Sequence, residues 1–423
     1  MQTPSIFVQF LSSEMNNSKI FYFNPTCELA VANGSFSYMP PLQLQQMEID
    51  LSILPAIFCT KNDILLTENP PSSPFLNYLK NLGLELPSFC SLKELEAMPD
   101  LSIDSIIPWG WSPAAHFVLN NLKEKCGQEF KNSPSFNWKP EHKSLFERST
   151  SLNFLRRILN DNPPAWFIDP TLCGEIVESL DEIESHLKNH SSIVIKAPVS
   201  SSGRGIQIIR RQKLNASNRQ WISGVLKQQK YLIVEPFLDK LLDLSFQFEL
   251  LADSEIKYHG FSIFETNSNG QYKGTFIHLK IKSLLPDEDE KDILTKIELT
   301  AQILKNALER SEFAANYIGY LGVDALLFRE TDHLKMQPCI EVNCRMNMGI
   351  LSLQLEKLIH PETSGKLEIC PVKTKNLQNN AEDYTGGKEK VTGDGKIYSG
   401  NIALTEAKPN SKFGAYLSLD PPK

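Results

Sequence analysis

The chain contains 423 residues, of which 41% are hydrophobic and 22% are charged. At roughly 150 residues per domain this length predicts two to four structural units, and the hydrophobic share is large enough to build buried cores. The 43 basic and 50 acidic residues give a net charge of −7, which leaves no broad basic surface for a nucleic-acid partner.

Neither a membrane protein nor an exported protein is indicated. The chain has no apolar run of the roughly 18 residues that a membrane-spanning helix needs. The short apolar run at 6–11 has no basic residue before it and no small-residue cleavage site after it, so it does not indicate a signal peptide. We therefore expect a cytoplasmic protein without a membrane partner.

The eight cysteines and eight histidines are dispersed, without a CxxC pair or an HExxH motif. This pattern argues against a disulfide framework, a redox pair and a zinc site. The P-loop, dinucleotide and serine-hydrolase motifs (GxxxxGKS/T, GxGxxG and GxSxG) are also absent from the sequence.

Residues 1–140 predict an α/β domain. Strand-like runs at 19–23 and 105–107 are interspersed with helical stretches at 76–82 and 114–125, and Pro, Asn and Gly clusters separate them.

Two turn-rich segments of this region are unusual, FNPTCELAVANG (23–34) and PWGWSP (108–113). Binding residues are often found on such loops. The alternative is structural: the asparagines of the first segment cap turns, and Trp109 and Trp111 fill a seam between domains.

From 145 to 365 the pattern changes to a helix, a strand hairpin, a second helix and a long run of strands. Residues 171–190 are charged and amphipathic and predict a surface helix. The strand at 193–195 is followed by the loop 200–205 and a returning strand at 206–209.

The C-terminal extension, 366–423, begins with a hydrophilic stretch. Its polar composition at 373–395 predicts a mobile loop, and 396–404 predicts a last strand.

The segment CIEVNCRMNMG (339–349) has the most specific chemistry. Side chains alternate along a strand, so Glu341, Asn343 and Arg345 share one face. A carboxylate and an amide oxygen two residues apart suit Mg²⁺ that keeps waters and phosphate oxygens, and Arg345 could grip the same phosphates or a substrate carboxylate. A surface salt-bridged strand is the alternative, but the apolar opposite face and Asp324 on an earlier apolar strand argue against it.

In IVIKAPVSSSGRGI (193–206), Lys196 ends a strand before a turn rich in Ser and Gly. Small residues let backbone N–H groups approach a phosphate, and the lysine adds a positive charge. An ordinary hairpin is the alternative, since tight turns also need glycine.

The segment YLIVEPFLDKLLDLSFQF (231–248) begins as an apolar strand that ends at Glu235 and Pro236. Proline removes a ladder donor there, which suits a hinge whose unpaired backbone groups can meet a ligand. Asp243 follows eight residues after Glu235, near enough to reach a ribose.

In this order the three segments resemble the ATP-grasp superfamily, over 145–365. The resemblance implies a mixed α+β and α/β chain, in which an ATP-grasp domain of two α+β subdomains binds ATP between them. It also implies that 1–140 is an α/β pre-ATP-grasp domain, and segment 23–34 resembles bacterial ATP-grasp proteins.

The resemblance implies a role for each matched residue. Mg²⁺ would be held by Asp324, Glu341 and Asn343, and Lys196 and Arg345 would act in catalysis. In addition to Lys196, Arg148 would bind the phosphates of ATP. The loop over the phosphates would be formed by Ser201, Ser202, Gly203, Arg204 and Gly205. The adenine would meet the hinge at Glu235, Phe237 and Leu238, and the ribose would meet Asp243.

Two assignments stay open. Arg148 stands where relatives place their first phosphate-binding lysine, and Arg156 is a rival for that role. The lysine of the phosphate lid could be Lys257, Lys273 or Lys280.

The resemblance implies an ATP-dependent ligase that activates a carboxylate as an acylphosphate and joins it to an amine, releasing ADP and phosphate. Such chemistry demands charge neutralisation and positioning, which the assigned residues supply. The alternatives are a small-molecule kinase on the same fold and a non-catalytic ATP-binding regulator. The expected partners are small-molecule or peptide carboxylates and amines, and a homodimer is possible.

Overall fold

The computed structural model describes residues 18–99, 101–200, 205–210, 213–372 and 390–421. Contacts divide the chain into two compact units. Unit 1 is Met1–Trp138, Phe276–Leu279 and Leu351–Lys423, and unit 2 is Lys139–Thr275 and Lys280–Ile350. The domain boundaries near 140 and 365 remain a prediction from the sequence.

The first part of unit 1 is built on a parallel sheet. Its strands are β1 (Lys19–Tyr22), β2 (Ile64–Leu66), β3 (Ser88–Cys90) and β4 (Ser105–Pro108), in the order β3-β2-β1-β4. The helices are α1 (Cys27–Asn33), α2 (Leu42–Asp50), α3 (Ser73–Asn81), α4 (Leu92–Glu96), α5 (Pro113–Val118), α6 (Asn120–Lys123) and α7 (Gln128–Lys131). The α/β prediction is confirmed, but the expected helix at 114–125 is interrupted at Leu119.

The two unusual N-terminal segments meet at the ends of β1 and β4. Asn24 Nδ2 donates to the Gly110 carbonyl at 2.8 Å, and the Gly110 N–H donates to Asn24 Oδ1 at 3.2 Å. The rings of Phe23 and Trp109 pack edge to face at 4.9 Å. Trp111 belongs to the buried core of unit 1. These contacts give both segments a structural role within one unit.

Unit 2 begins with a small antiparallel sheet of order β5-β8-β6-β7. Its strands are β5 (Glu175–Val177), β6 (Ser192–Lys196), β7 (Ile206–Arg210) and β8 (Leu232–Pro236), accompanied by the helices α8 (Arg148–Asn160), α9 (Leu180–Asn189) and α10 (Ala216–Gln229). The predicted hairpin of β6 and β7 is confirmed.

The predicted helix at 171–190 is wrong over its first half. The helix begins only after Ser179, whose hydroxyl accepts a hydrogen bond from the Glu182 N–H. Upstream, Ile176 and Val177 form β5 and pair with β8. β-Branched side chains favour a strand, and this tertiary pairing overrides the amphipathic pattern.

The second half of unit 2 is an antiparallel run of strands in the order β13-β12-β9-β10-β11. They are β9 (Asp239–Leu250), β10 (Ile256–Thr266), β11 (Tyr272–Ile277), β12 (Gly319–Glu330) and β13 (His333–Asn343). The helices of this half are α11 (Glu290–Glu309) and α12 (Glu312–Asn316), and α13 (Met348–Glu356) begins in unit 2 and continues into unit 1 after Ile350. α8 packs against β13 and α11 against β10, so the sheet has a helix-covered face.

The C-terminal part of unit 1 has the antiparallel order β14-β17-β16-β15. Its strands are β14 (Ser364–Pro371), β15 (Lys390–Val391), β16 (Ile397–Ala403) and β17 (Phe413–Asp420). The run at 396–404 is therefore not the last strand, because β17 follows and pairs with β14. Most of the polar stretch predicted as a loop, 373–389, lies outside the described residues.

The two ends of the chain are tied together within unit 1. The Asp50 carboxylate, at the end of α2, accepts hydrogen bonds from the backbone N–H groups of Lys412 at 2.8 Å and Phe413 at 3.0 Å. Across the described ranges, no helix has the length and apolarity needed to cross a bilayer.

Five segments of 3₁₀ helix, of three to seven residues, complete the described elements. They are Leu54–Phe58, Pro134–Phe136, Pro140–Phe146, Pro170–Leu172 and Ile281–Ser283. A proline stands in the first turn of four of them, where its missing N–H has no helical partner to lose.

Candidate functional site

The candidate site is built on the polar face of β9. Every second residue of this strand is apolar and buried, namely Leu242, Leu244, Phe246, Phe248 and Leu250. Between them stands a row of polar side chains, which we call the β9 row: Asp243, Ser245, Gln247 and Glu249. Successive members of the row are about 7 Å apart along a strand. The sequence analysis used only Asp243 from this row, although the strict alternation could have identified the rest.

Asp324 is the centre of the predicted metal cluster. It lies opposite Ser245 of β9 on one side and opposite Glu341 of β13 on the other. Ser245 Oγ donates to Asp324 Oδ1 at 2.7 Å, and Asn343 Nδ2 donates to Asp324 Oδ2 at 3.0 Å. The structure therefore brings together all three residues predicted as metal ligands.

The electrostatics of this cluster suit a divalent cation. The pKa of the Asp324 carboxyl is raised to about 6, chiefly because burial desolvates it and also because the Glu341 charge is near, and the Ser245 hydrogen bond opposes the rise. Two carboxylates and an amide oxygen are hard oxygen ligands of the kind that Mg²⁺ prefers. A bound cation would relieve the repulsion between the two carboxylates.

Arg345 reaches the cluster from just beyond the strand. β13 ends at Asn343, and the Arg345 backbone N–H donates to the Asn343 carbonyl at 2.8 Å. The guanidinium donates to Asn343 Oδ1 at 3.1 Å and to the Met346 carbonyl at 3.2 Å. Strand alternation thus does not extend to Arg345, but its side chain still contacts the predicted ligand Asn343.

Arg148, the first residue of α8, connects the cluster to the β6–β7 hairpin. Its guanidinium forms an ion pair with Glu341 at 3.0 Å and donates to the Ala197 carbonyl and to Ser200 Oγ, each at 2.7 Å. The rival Arg156 instead donates to the Gly174 carbonyl at 2.8 Å. Of the two arginines, Arg148 is therefore the one that contacts a predicted metal ligand.

Lys196 and Glu235 form a second ion pair in the small sheet. Lys196 Nζ lies 2.5 Å from Glu235 Oε2, and both side chains are largely buried. The resemblance implied that Glu235 acts mainly through its backbone, so this side-chain contact is a finding of the structure. The pair holds the Lys196 ammonium at a fixed position at the end of β6.

The predicted hinge continues into a more exposed segment. The Phe237 side chain is 39% exposed, and the Arg210 guanidinium lies 5.3 Å from the centre of its ring. The Phe237 N–H donates to the Ser192 carbonyl at 3.1 Å, and the Leu238 carbonyl accepts from the Lys240 N–H at 2.9 Å.

Asp243 lies one step before Ser245 in the β9 row. Its Oδ2 accepts from Lys240 Nζ at 2.6 Å and from Thr266 Oγ1 at 2.9 Å. The sequence analysis had identified neither Lys240 nor Thr266. The contact with Thr266 comes from the pairing of β9 with β10 and has no local sequence signal.

Most of the predicted phosphate loop, Ser201, Ser202, Gly203 and Arg204, lies outside the described residues. Gly205 is described, and its carbonyl accepts from the Ala197 N–H at 2.8 Å. A Cβ at Gly205 would stand 2.3 Å from both Cβ and Oγ of Ser200, so only glycine fits there without movement. Among the candidate lid lysines, Lys273 forms an ion pair with Glu265, and the choice between the three stays open.

Two buried amides beside the cluster keep unused hydrogen-bonding capacity. Asn347 Oδ1 accepts from the N–H groups of Gly349 and Ile350, so its Nδ2 is the free end. Gln247 Nε2 donates to Ser245 Oγ at 2.8 Å, which leaves Oε1 as its free end. Neither free atom has a partner in the part of the chain that the structure describes.

The chain resembles one curated enzyme in sequence. It is 25% identical over 308 residues to a ligase of Niallia circulans named for butirosin acyl-carrier protein and L-glutamate. The match covers 70% of this chain and 64% of that protein, so the chain spans less than two thirds of its relative's length. No family model matches the chain.

Solved structures share the fold at lower sequence identity. The biotin carboxylase of Campylobacter jejuni, in its β-γ-ATP complex, matches with a TM-score of 0.52 at 12% identity, over 96% of this chain and 88% of that one. The biotin carboxylase domain of Hydrogenobacter thermophilus 2-oxoglutarate carboxylase, with MgADP, ADP and bicarbonate, matches with a TM-score of 0.51 at 12% identity. That match covers 96% of this chain and 87% of the other.

Proposed function

We propose that the chain is an ATP-grasp enzyme, namely an ATP-dependent ligase that activates a carboxylate as an acylphosphate and joins it to an amine, as its likeness to a curated ligase and to biotin carboxylase structures supports. ADP and phosphate are the other products. The contact of Asp324 with Asn343, with Glu341 opposite in the sheet, is the observation that carries the proposal. These three side chains come from two strands and form one oxygen-rich cluster.

Asp324, Glu341 and Asn343 would hold Mg²⁺ in this proposal. The bound cation would supply charge neutralisation to the phosphate oxygens of ATP. The raised pKa of Asp324 supports this assignment, because a buried carboxylate beside a second one gains from a cationic partner.

Three cationic side chains would position the phosphates. Arg148 and Arg345 both contact predicted metal ligands, and Lys196 is fixed by Glu235 in the neighbouring sheet. Phosphoryl transfer depends chiefly on such positioning and charge stabilisation. We assign Lys196 and Arg345 to catalysis, because their charges would act where negative charge develops.

The nucleotide would extend along the start of β9. The hinge at Glu235, Phe237 and Leu238 would meet adenine, and Asp243 would meet the ribose. Lys240 and Thr266 support this role of Asp243, because both donate to its carboxylate and hold it in place. The loop residues Ser201, Ser202, Gly203, Arg204 and Gly205 would cover the phosphates.

The name of the curated relative suggests which substrate to test first. That enzyme is named for L-glutamate and an acyl-carrier protein, so L-glutamate is the first carboxylate to offer this chain. The full range of partners would be small-molecule or peptide carboxylates and amines. A homodimer would be compatible with the proposal and is not required by it.

Hydroxylamine interception tests the proposal. The protein is incubated with ATP, Mg²⁺, hydroxylamine and L-glutamate, and then with each of the other amino acids and with small dicarboxylates. An acylphosphate is electrophilic enough to give a hydroxamate together with ADP. Turnover that leaves the phosphate on a substrate hydroxyl, without hydroxamate, would establish a kinase instead. ATP binding without turnover across the whole panel would favour a regulatory protein.

A further inference from the structure

Two hydrogen bonds in sequence connect Gln247 of β9 to the predicted metal ligand Asp324. Gln247 Nε2 donates to Ser245 Oγ at 2.8 Å, and Ser245 Oγ donates to Asp324 Oδ1 at 2.7 Å. Ser245 is 4% exposed and Gln247 is fully buried. Neither of these two residues belongs to the nucleotide and metal assignments above. We call the two bonds the Gln247–Ser245 relay, and it lies directly behind the metal cluster.

The chemistry of the three groups gives the relay one direction. An amide N–H can only donate, so Ser245 Oγ accepts from Gln247 and keeps its own proton for another partner. An ionised carboxylate can only accept, so that proton goes to Asp324. A hydroxyl that donates to a carboxylate forms a charge-assisted bond, and a second bond accepted by the same hydroxyl strengthens it. The relay therefore stabilises the charged form of Asp324, which is the form that binds a cation.

Neighbouring groups determine which end of the Gln247 amide faces Ser245. Nε2 also donates to the Ser245 carbonyl at 3.4 Å, a position where the amide oxygen would be repelled. Oε1 lies near Gly322 of β12, where an added Cβ would stand 3.4 Å from it and 2.5 Å from Asn347 Nδ2. The reverse orientation would bring two N–H groups together beside Gly322. The amide nitrogen of Gln247 therefore belongs at Ser245.

Two glycines leave the space that this amide needs. Gly322 lies opposite Gln247 in the pairing of β9 with β12. Gly349 lies in the first turn of α13, and an added Cβ there would stand 2.3 Å from Gln247 Nε2. Backbone thus encloses the amide at both ends and leaves it little freedom to turn away from Ser245.

We propose that Ser245 and Gln247 are positioning residues for the metal, a role that rests on the metal site of the proposed function. Ser245 holds Asp324 Oδ1 and Asn343 holds Asp324 Oδ2, so both carboxylate oxygens are oriented before a cation arrives. Each oxygen keeps a further lone pair for the cation. Groups that orient a metal ligand in this way strongly affect metal affinity. Gln247 acts one step further back, because it keeps the Ser245 proton directed at Asp324.

Binding of ATP with and without metal separates this role from a structural one. Calorimetry measures the ATP dissociation constant of each folded protein in Mg²⁺ and again in EDTA. The ratio of the two constants is the gain in affinity that the metal provides. Loss of a positioning residue should lower this gain. Loss of a residue that only supports the fold should weaken ATP binding equally in both solutions and leave the gain unchanged.

Ser245→Ala removes the bond to Asp324, and we expect the gain to fall at least about tenfold. Gln247→Met keeps the size of the side chain but lacks the N–H, so the Ser245 proton can turn elsewhere, and we expect a smaller fall of about threefold. Ser262→Ala is the matched control. Ser262 lies opposite Ser245 in the pairing of β9 with β10 and is 5% exposed, but its hydroxyl donates to the Ser245 carbonyl at 3.5 Å. The gain should be unchanged in this control.

A double variant tests whether Gln247 acts through Ser245. If it does, adding Gln247→Met to Ser245→Ala has no further effect, and the gain stays within about twofold of that of Ser245→Ala alone. Two independent contributions would instead multiply, and that result would remove Gln247 from the proposed role.

The remaining outcomes also decide the inference. An unchanged gain in folded Ser245→Ala would overturn it while the metal site stands. An equal fall in Ser262→Ala would show that any buried hydroxyl there matters, and the contact with Asp324 would lose its assigned role. If Ser245→Ala does not fold, Gln247→Met decides, and an unchanged gain in that variant overturns the inference. If the unaltered protein binds ATP equally well in Mg²⁺ and in EDTA, the metal site of the proposed function fails, and the inference fails with it.

Discussion

Arg148 and Glu341 are 193 residues apart in the chain, yet their side chains form an ion pair at 3.0 Å. Arg148 is buried to 4% exposure and also donates to Ala197 and Ser200, so one guanidinium joins α8, the β6–β7 hairpin and β13. Because a buried charge without a partner is costly, this pair couples the position of the hairpin to that of the predicted metal ligand.

The Glu341 and Asn343 side chains should both be needed for metal-dependent nucleotide binding. Glu341→Gln retains an oxygen that can accept from Arg148, so the fold should survive while the ligand charge is lost. We expect Glu341→Gln and Asn343→Ala each to weaken Mg·ATP binding at least tenfold, about 1.4 kcal/mol, in calorimetry. Glu330→Gln, at the more exposed end of β12, is the control. Folded variants with unchanged affinity would show that the cluster is structural.

Removal of the Lys196 charge should affect turnover more than binding. The ammonium is held by Glu235 at the end of β6, where it would meet charge that builds up during phosphoryl transfer. We expect Lys196→Ala to lower kcat by at least roughly 10²-fold, on the order of 3 kcal/mol, with a smaller loss of ATP affinity. Lys296→Ala, which breaks a surface pair with Asp292 on α11, should leave both unchanged. A normal kcat in Lys196→Ala would mean that the hairpin is ordinary structure.

Two glycines of unit 2 should respond oppositely to alanine. A methyl group at Gly205 would stand 2.3 Å from Ser200, which Arg148 holds by hydrogen bond, so Gly205→Ala should displace the hairpin and lower turnover. Gly224 lies in α10 with open space around its Cβ position. Gly224→Ala should therefore stabilise the protein by about 1 kcal/mol in urea unfolding and leave turnover unchanged. If Gly205→Ala also left turnover unchanged, the close approach of Gly205 to Ser200 would not matter for the activity.

Stability without metal should fall as the pH rises from about 4 to 6. Burial raises the pKa of Asp324 from 3.8 to about 6, so the folded state binds a proton across this window that the unfolded state has released. The stabilisation is fully present below pH 4 and is lost above pH 6. We expect Asp324→Asn to be more stable than the unaltered protein by about 1–3 kcal/mol at pH 8, and equal to it below pH 4. Urea unfolding at the two pH values is the measurement, and equal stability at pH 8 would contradict the assigned shift.

Mg²⁺ should restore the stability that is lost between pH 4 and pH 6, and it should do so only in the unaltered protein. The metal competes with the proton at Asp324, so added Mg·ATP should stabilise the unaltered protein at pH 8 and have little effect on Asp324→Asn. Equal stabilisation of both proteins by Mg·ATP would place the metal elsewhere.

Turn composition and the alternation of side chains along a strand predict those elements of this structure that depend on residues close together in the sequence. The β6–β7 hairpin and the one-sided placement of Glu341 and Asn343 follow from turn composition and strand alternation. The same alternation would have identified Ser245, had it been applied to the whole of β9. The amphipathic stretch at 171–190 failed because pairing of β5 with β8 is a tertiary contact that no local pattern reports.

The ion pairs of the site are beyond such reasoning for the same reason. Lys196 and Glu235 were each identified as single residues, but their contact depends on the register between β6 and β8. The choice of Arg148 over Arg156 depends on which side of α8 faces β13. The Lys196–Glu235 pair and the contact of Arg148 both depend on distances in the folded protein, whereas the sequence shows only which residues could take part.

The order in which the chain is synthesised has a consequence for how unit 1 matures. Its sheet of β1 to β4 leaves the ribosome long before Lys412 and Phe413, the residues whose backbone N–H groups bond to Asp50. Unit 2, by contrast, is nearly continuous in sequence and is completed at Ile350. Most of unit 2 can therefore form its internal contacts while the sheet of β1 to β4 still awaits the C-terminal residues that bond to Asp50. A nascent chain stalled far enough after Ile350 for the whole of unit 2 to have left the ribosome, but before Lys412 is made, should resist protease in unit 2 and remain susceptible around α2.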